Sequence, residues 1–120
     1  MENARVFVVD DQESMRALVG AILNSSGHTV VLEASSLEGA LEQVEAVKEQ
    51  GVNLAILDAC LRDPRVATDG PRIAQVLKKE SMGEIRIVTF SSHDGVTWGD
   101  KNLKKPLTHV SELVEAVAEL

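Results

Sequence analysis

The chain has 120 residues, enough for one domain that buries roughly two-thirds of its unfolded surface in a single core. Hydrophobic residues make up 44% and charged residues 26%, which excludes a disordered chain, a collagen-like repeat and a disulfide scaffold. Nineteen acidic residues against 12 basic ones give a net charge of −7, and aromatic residues make up 2%. This balance repels phosphate backbones and anionic headgroups, so it argues against a nucleic-acid partner and favours a cation.

The cysteine count and the N-terminal sequence indicate the compartment. Cys60 is the single cysteine and has no partner for an internal disulfide. The first residues lack the pattern of a signal peptide, and no apolar run approaches the ~18 residues of a membrane span. We therefore expect one cytoplasmic domain over residues 1–120 that does not insert into a membrane. That length leaves no space for an output domain, so a signal would leave by protein contact, with a homodimer left open.

In the first part of the chain, short β-branched runs alternate with stretches of helical period, which is typical of an α/β sheet. Arg5 to Val9 predicts the first strand. Apolar residues at helical spacing predict a helix from Ser14 to Ser26, which Gly27 ends in a left-handed conformation. Thr29 to Glu33 predicts the second strand.

A second helix and a central strand come next. Ser35 and Glu38 have the spacing of a capping box at the start of this helix, and Gly51 ends it. Asn53 to Leu57 is almost wholly apolar, as expected of a parallel strand covered on both faces, and it stops at Asp58.

The last part of the chain predicts two more helices and two more strands. Pro71 suits the first position of a third helix. The fourth strand is Ile85 to Phe90, the fifth is Asn102 to Lys104, and residues 91–100 between them show no helical period. Thr108 is predicted to cap a last helix that reaches Leu120. The order βαβαβαββα predicts a five-stranded parallel sheet whose fourth helix is reduced or missing.

Polar residues follow four of these strands, and ligands of parallel sheets bind outside the carboxyl ends of the strands. They are Asp10 and Asp11, Asp58, Ser91 and Ser92, and Lys104 and Lys105, which Pro106 follows. Three close carboxylates repel one another unless a cation is present, and Mg²⁺ prefers such hard oxygen ligands. A lysine and a hydroxyl opposite that metal suit a phosphoryl group, and Asp58, at the end of the central strand, is the candidate acceptor.

These residues carry a family resemblance over essentially the whole chain. The matching runs are Val8-Val9-Asp10-Asp11, Leu54-Ala55-Ile56-Leu57-Asp58, Asp69-Gly70, Ile87-Val88-Thr89-Phe90-Ser91-Ser92 and Lys105-Pro106. Together, and in this order, they resemble the receiver domain of bacterial two-component response regulators. The resemblance implies a three-layer, flavodoxin-like (βα)5 fold.

The resemblance also implies a phosphorylation site and a metal site. Asp58 would be the phosphorylated aspartate, and the donor would be a histidine kinase or a histidine phosphotransfer protein. Asp11, Asp58 and the backbone carbonyl of Cys60 would ligate Mg²⁺, with Asp10 acting largely through a bound water. The phosphorylated domain would act on a downstream protein target. Beyond this transfer to its own Asp58 and slow autodephosphorylation, no enzymatic activity is implied.

Two further roles are implied near the ends of the last two strands. Ser91 resembles the hydroxyl that responds to phosphorylation, and Lys105 resembles the lysine that reaches the phosphoryl oxygens. Thr89 competes with Ser91, because strand alternation puts both side chains on one face, and Ser91 is preferred because it ends the apolar run. Family practice also suggests a cis peptide between Lys105 and Pro106.

Three features depart from the family pattern. The loop from Asp58 to Gly70 is longer than usual, and the segment from Ser91 to Lys105 is shorter. The aromatic residue that many receivers carry three positions before the lysine is here Asn102. Trp98 is a candidate substitute that the sequence does not place. The chain therefore lacks, at position 102, the aromatic residue of the usual relay from hydroxyl to aromatic side chain.

Two other functions remain open. One is a receiver-like interaction module that works without phosphorylation. The other is a Mg²⁺-dependent phosphatase that acts on a small molecule through an aspartyl phosphate. Such enzymes need an Asp-x-Asp pair after the first strand and usually a lid domain, whereas Asp10 and Asp11 are adjacent. His28 and His109 are expected to be exposed loop or cap residues.

Overall fold

One parallel sheet organises the molecule. The computed structural model describes residues 1–59, 61, 68–92 and 95–120. Its strands are β1 (Arg5–Val9), β2 (Thr29–Ala34), β3 (Leu54–Asp58), β4 (Arg86–Ser91) and β5 (Lys101–Lys104), in the spatial order β2-β1-β3-β4-β5 with every neighbouring pair parallel. Its helices are α1 (Glu13–Ser25), α2 (Leu37–Glu42), α3 (Val44–Glu49), α4 (Asp69–Glu80) and α5 (Ser111–Ala118). The predicted five-stranded parallel sheet is confirmed.

Two apolar layers hold the helices on the sheet. Successive side chains of a strand point to opposite faces, so Phe7 and Val9 join one layer while Val6 and Val8 join the other. The first layer packs under α2, α3 and α4, and the second packs under α1 and α5. Every residue of β3 is buried, as predicted for a central strand. The result is the three-layer α/β arrangement that the sequence predicts.

The connection between β4 and β5 contains no helix in residue 92 or in residues 95–100, which are the described part of this segment. Trp98 packs instead against the layer under α4. The predicted reduction or absence of the helix between β4 and β5 is therefore confirmed. Among the described residues, no helix combines the length and the apolar character that a membrane span needs.

The start of α2 differs from the prediction. Its cap is Ser36 rather than Ser35, because the helix begins at Leu37 and the Gly39 N–H donates to Ser36 Oγ at 3.0 Å. The single predicted helix also divides into α2 and α3 at Gln43, whose side-chain amide donates to the Glu33 carbonyl at 2.8 Å. That bond ties the break between the two helices to the end of β2.

Two other helix starts also differ. Because α4 begins at Asp69, Pro71 is its third residue, where the missing N–H still falls in the first turn and costs no intrahelical bond. The predicted cap at Thr108 is wrong, since α5 begins at Ser111. Instead, the backbone N–H groups of Thr108 and His109 donate to Glu112 Oε2 at 3.0 and 3.4 Å.

The prediction that His28 is exposed is also wrong. Its side chain is 8% exposed, and Nδ1 accepts the Ala4 N–H at 3.0 Å, which joins the start of β2 to the residue before β1. Burial, and then the positive amino terminus, lower the pKa of His28 below its ordinary value of 6.5. The imidazole therefore acts as a neutral hydrogen-bond acceptor.

We expect His28 to make the protein less stable in mild acid. Below pH 6.5 the unfolded chain protonates His28 more readily than the folded chain does, so the free energy of unfolding falls as the pH drops through this value. His28→Asn retains an acceptor near the position of Nδ1 and cannot titrate. Urea denaturation between about pH 7.5 and about pH 5.5 should therefore show a smaller loss of stability for the variant. An equal loss in both proteins would contradict this role.

Candidate functional site

The parallel sheet brings the predicted polar residues to one edge. Asp10 follows β1, Asp58 is the last residue of β3, Ser91 is the last residue of β4, and Lys105 follows β5. The Ala59 N–H donates to the Phe90 carbonyl at 2.9 Å and the Lys105 N–H donates to the Ser91 carbonyl at 2.8 Å, so neighbouring strand ends are held in register. The predicted convergence of these residues follows from that register.

An acidic cluster lies at the centre of this edge. Asp10, Asp11 and Asp58 each offer a carboxylate oxygen, and these oxygens lie within 4.8 Å of one another. Asp10 and Asp58 are buried, whereas Asp11 is exposed. Oxygen donors alone, with one open side toward solvent, are the ligand chemistry that Mg²⁺ uses when it keeps waters or phosphate oxygens in its remaining positions. The residues present therefore fit a magnesium ion.

The Lys105 ammonium lies against the same carboxylates. Its Nζ is 2.7 Å from Asp10 Oδ2 and 3.3 Å from Asp58 Oδ2. Burial opposes the charge on this lysine, but the hydrogen bond to Asp10 and the charge of Asp58 outweigh burial and raise the pKa of Lys105. The peptide between Lys105 and Pro106 is cis, as predicted. A fixed positive charge thus faces the buried acceptor candidate.

The turn that carries Asp10 is held by a residue that the sequence analysis did not single out. Arg16, in α1, donates to the Asp10 carbonyl at 2.6 Å and pairs with Glu33 of β2 at 3.4 Å. The Gln12 N–H donates to Asp10 Oδ1 at 2.9 Å. A basic residue one turn into the helix after two aspartates is a signal that could have nominated Arg16, since its long side chain can reach back to the preceding strand end.

The glycine of the Asp69-Gly70 run has a steric role beside Asp58. A Cβ on Gly70 would lie 2.8 Å from the Asp58 carbonyl oxygen and 2.9 Å from the Ala59 Cα. The first turn of α4 therefore rests directly on the backbone of the acceptor candidate. Asp69 is 4% exposed at the same helix start.

Thr89 and Ser91 are both buried, as are all residues of β4 after Arg86. The Thr89 hydroxyl donates to Asn102 Oδ1 at 2.7 Å, so it is bonded to the residue that stands in the family's aromatic position. Ser91 lies next to Lys105 through the backbone bond between them. Trp98, the candidate substitute for the aromatic residue, packs against the layer under α4.

Cys60, whose carbonyl is a predicted Mg²⁺ ligand, lies outside the described residues, as does most of the long loop before α4. The structure thus brings together Asp10, Asp11, Asp58 and Lys105, with Ser91 at the adjacent strand end. In chemical terms, this edge offers a buried carboxylate, two more carboxylates for a cation and a lysine for an anion.

Comparisons with known proteins bear on the family and the fold of this chain. The sequence model of the response regulator receiver domain matches residues 6–116. The transcriptional regulatory protein YvrH of Bacillus subtilis (strain 168) is 34% identical over 61 residues. That match covers 51% of this chain and 24% of YvrH, so the chain spans only a part of that relative's length.

Solved structures share the fold at low identity. A CheY-like response regulator receiver domain protein from Methanospirillum hungatei JF-1 has a TM-score of 0.77 and 21% identity, and the match covers 97% of this chain and 91% of that chain. A LuxR-family two-component response regulator from Aurantimonas sp. SI85-9A1 has a TM-score of 0.77 and 23% identity, with 98% and 84% covered. These likenesses concern the fold.

Proposed function

Because this chain belongs to the response regulator receiver domain family of two-component signalling, we propose that it accepts a phosphoryl group on Asp58 from a histidine kinase or a histidine phosphotransfer protein. The signal then leaves by contact with a downstream protein target, and the site of action is the cytoplasm. One observation carries the proposal. The Lys105 ammonium lies within 3.3 Å of Asp58 Oδ2, at the mouth of a cluster of three carboxylates.

The acidic cluster supports a requirement for Mg²⁺. Asp11 and Asp58 would hold the ion directly, together with the carbonyl of Cys60, and Asp10 would act largely through a water. When bound, Mg²⁺ would neutralise charge on the phosphoryl oxygens. The bonds from Arg16 to the Asp10 carbonyl and from the Gln12 N–H to Asp10 Oδ1 hold the Asp10 carboxylate in place.

The residues of the chain account for the chemistry of transfer. An Asp58 carboxylate oxygen attacks the phosphorus in line, a new O–P bond forms, and the N–P bond to the donor imidazole breaks with its electron pair going to nitrogen. Lys105 stabilises charge on the equatorial oxygens, since its ammonium already faces Asp58. The resulting acyl phosphate adds negative charge beside Ser91, whose hydroxyl then moves to bond it.

A small phosphodonor tests this proposal. With acetyl phosphate and Mg²⁺, the intact protein should gain the mass of one phosphoryl group, and chelation of Mg²⁺ should abolish the gain. Asp58→Asn should remove the labelling, because the amide is a poor nucleophile, and hydroxylamine should remove the label from the wild-type protein, as expected for an acyl phosphate. Labelling that survives Asp58→Asn would place the acceptor elsewhere and contradict the assignment.

A second candidate function is an interaction module that works without phosphorylation. The observation that favours it is the position of Asn102, because the family's aromatic relay is replaced by a residue bonded to Thr89. The two functions differ in whether phosphorylation changes hydrogen exchange at the end of β4. In a module of this kind, phosphorylation or its mimic leaves hydrogen exchange at Ser91 and Lys105 unchanged.

A further inference from the structure

Asn102, on β5, makes three hydrogen bonds that join β4 to the segment before β5. Its Oδ1 accepts the Thr89 hydroxyl at 2.7 Å and the Gly99 N–H at 2.9 Å, and its Nδ2 donates to the Gly99 carbonyl at 3.2 Å. The Gly99 N–H needs an acceptor and the Gly99 carbonyl needs a donor, and the side-chain amide of Asn102 supplies both. Both ends of the Asn102 side chain are therefore used.

Residues 95–100, which we call the crossover segment, lie directly on β4 at this point. A Cβ on Gly99 would be 2.6 Å from Thr89 Cγ2 and 2.8 Å from the Lys101 carbonyl oxygen. Real side chains essentially never approach this closely, so any larger residue at position 99 would lift the segment from the strand. The close approach makes the bonds of Asn102 geometrically possible.

A second anchor lies one residue further on, at Asp100. Its N–H donates to the Ile87 carbonyl at 2.8 Å, and its Oδ2 accepts the Ile87 N–H at 2.7 Å. The same oxygen pairs with Lys78 of α4 at 3.0 Å. Burial opposes the charge on Asp100, but the Ile87 N–H and Lys78 outweigh it and lower the pKa of this carboxyl. The end of the crossover segment is thus tied both to β4 and to α4.

We propose that Asn102 is a positioning residue that holds the crossover segment against β4 whether or not Asp58 is phosphorylated, and so confines the conformational response to the strand end at Ser91. This inference rests on the proposed function. The Thr89 hydroxyl belongs to this clamp, which leaves Ser91 as the hydroxyl that answers the phosphoryl group. The clamp therefore stands where the family pattern has a helix and an aromatic side chain.

Amide-resolved hydrogen exchange without any phosphodonor tests the clamp itself. Asn102→Ala should speed exchange of the Gly99 and Asp100 amides about tenfold, since it removes three hydrogen bonds at once. Asn102→Asp keeps both bonds to Oδ1 but replaces the Nδ2 donor with an oxygen that repels the Gly99 carbonyl, so its exchange rates should lie between those of wild type and Asn102→Ala. Thr89→Val removes one bond and should have an intermediate effect that is not additive with Asn102→Ala. Wild-type exchange rates in Asn102→Ala would overturn the proposal.

Addition of Mg²⁺ and beryllofluoride, a mimic of the phosphoryl group, tests whether the conformational response is confined to the strand end at Ser91. In the wild-type protein, exchange of the Lys105 amide, which donates to the Ser91 carbonyl, should change, while Gly99 and Asp100 change less than about twofold. In Asn102→Ala the change should spread to Gly99 and Asp100. A roughly tenfold change at Gly99 and Asp100 in the wild-type protein would overturn the proposal.

The experiment without phosphodonor tests the clamp, and the experiment with beryllofluoride also tests the proposed function on which the clamp rests. If the mimic leaves the Lys105 amide unchanged as well, phosphorylation is not the signal and the proposed function fails. The variants without phosphodonor still decide the clamp in that case, because their comparison depends only on the bonds among Thr89, Gly99 and Asn102.

Discussion

Replacement of Lys105 with methionine is expected to slow phosphorylation of Asp58 by roughly a hundredfold. The Lys105 Nζ lies 2.7 Å from Asp10 Oδ2 and 3.3 Å from Asp58 Oδ2, where the oxygens of an incoming phosphoryl group must arrive. Methionine has a similar length and no charge, so Lys105→Met removes the electrostatic contribution with little change in packing. The rate of acyl phosphate formation from acetyl phosphate and Mg²⁺ measures the effect.

The same variant should lose stability when no divalent cation is present. Asp10 and Asp58 are 4% and 6% exposed, and without Lys105 their charges lack the cation that faces both of them. Loss of one partner of a buried ion pair costs about 3 kcal/mol in the free energy of unfolding. Urea denaturation of the two proteins without a divalent cation measures this loss.

The stabilisation that Mg²⁺ gives to each protein distinguishes the role of Lys105 from that of the carboxylates. Without the lysine the cluster is more negative, so Mg²⁺ should still bind and should stabilise Lys105→Met more than it stabilises the wild-type protein. Lys104→Met is the matched control for the rate, since Lys104 is the exposed neighbour at the end of β5, and it should leave the phosphorylation rate close to that of the wild-type protein. Wild-type phosphorylation rates in Lys105→Met would contradict the proposed role.

Most of the site could be predicted because its residues stand at fixed places in a regular fold. Alternating helical and strand periods define the parallel sheet, and a parallel sheet brings the ends of its strands to one edge. Asp10, Asp58 and Lys105 therefore had to meet once the strands were placed. The segment before Lys105 likewise predicted a reduced or missing helix, since it is shorter than in the family and residues 91–100 show no helical period.

The predictions fail where neighbouring residues of similar chemistry compete. Ser35 and Ser36 are both good caps, and only the register of α2 on the sheet decides between them. Thr108 is a favourable cap residue, but α5 begins three residues later, at Ser111, and Glu112 accepts the N–H groups of Thr108 and His109 from within that helix. Local preferences do not separate such options, because the choice depends on how the whole helix packs.

The hydrogen bonds of Asn102 could not be predicted from the sequence for a different reason. A polar residue in the family's aromatic position is visible in the sequence, but its partners Thr89 and Gly99 come from β4 and from a segment without regular structure. No periodicity links these positions. The predicted exposure of His28 is wrong for the same reason, because its acceptor role depends on the N–H of Ala4, the residue before β1.

Gly70→Ala is expected to destabilise the protein, although alanine normally stabilises a helix relative to glycine by up to about 1 kcal/mol. A Cβ at this position would meet the Asp58 carbonyl oxygen at 2.8 Å and the Ala59 Cα at 2.9 Å. Both contacts are with backbone atoms, which cannot rotate away as a flexible side chain could. The first turn of α4 or the end of β3 must then shift.

We expect this shift to cost about 2 kcal/mol in the free energy of unfolding, typical of overpacking a buried contact. It should also slow phosphorylation, because the moved backbone carries Asp58. Gly20→Ala in α1 is the matched control, since a Cβ there meets nothing within 4 Å, and this variant should gain stability. Opposite signs for the two substitutions in urea denaturation would show that Gly70 is required by the approach of α4 to Asp58. A gain in stability for both would instead show that α4 can move away without disturbing Asp58.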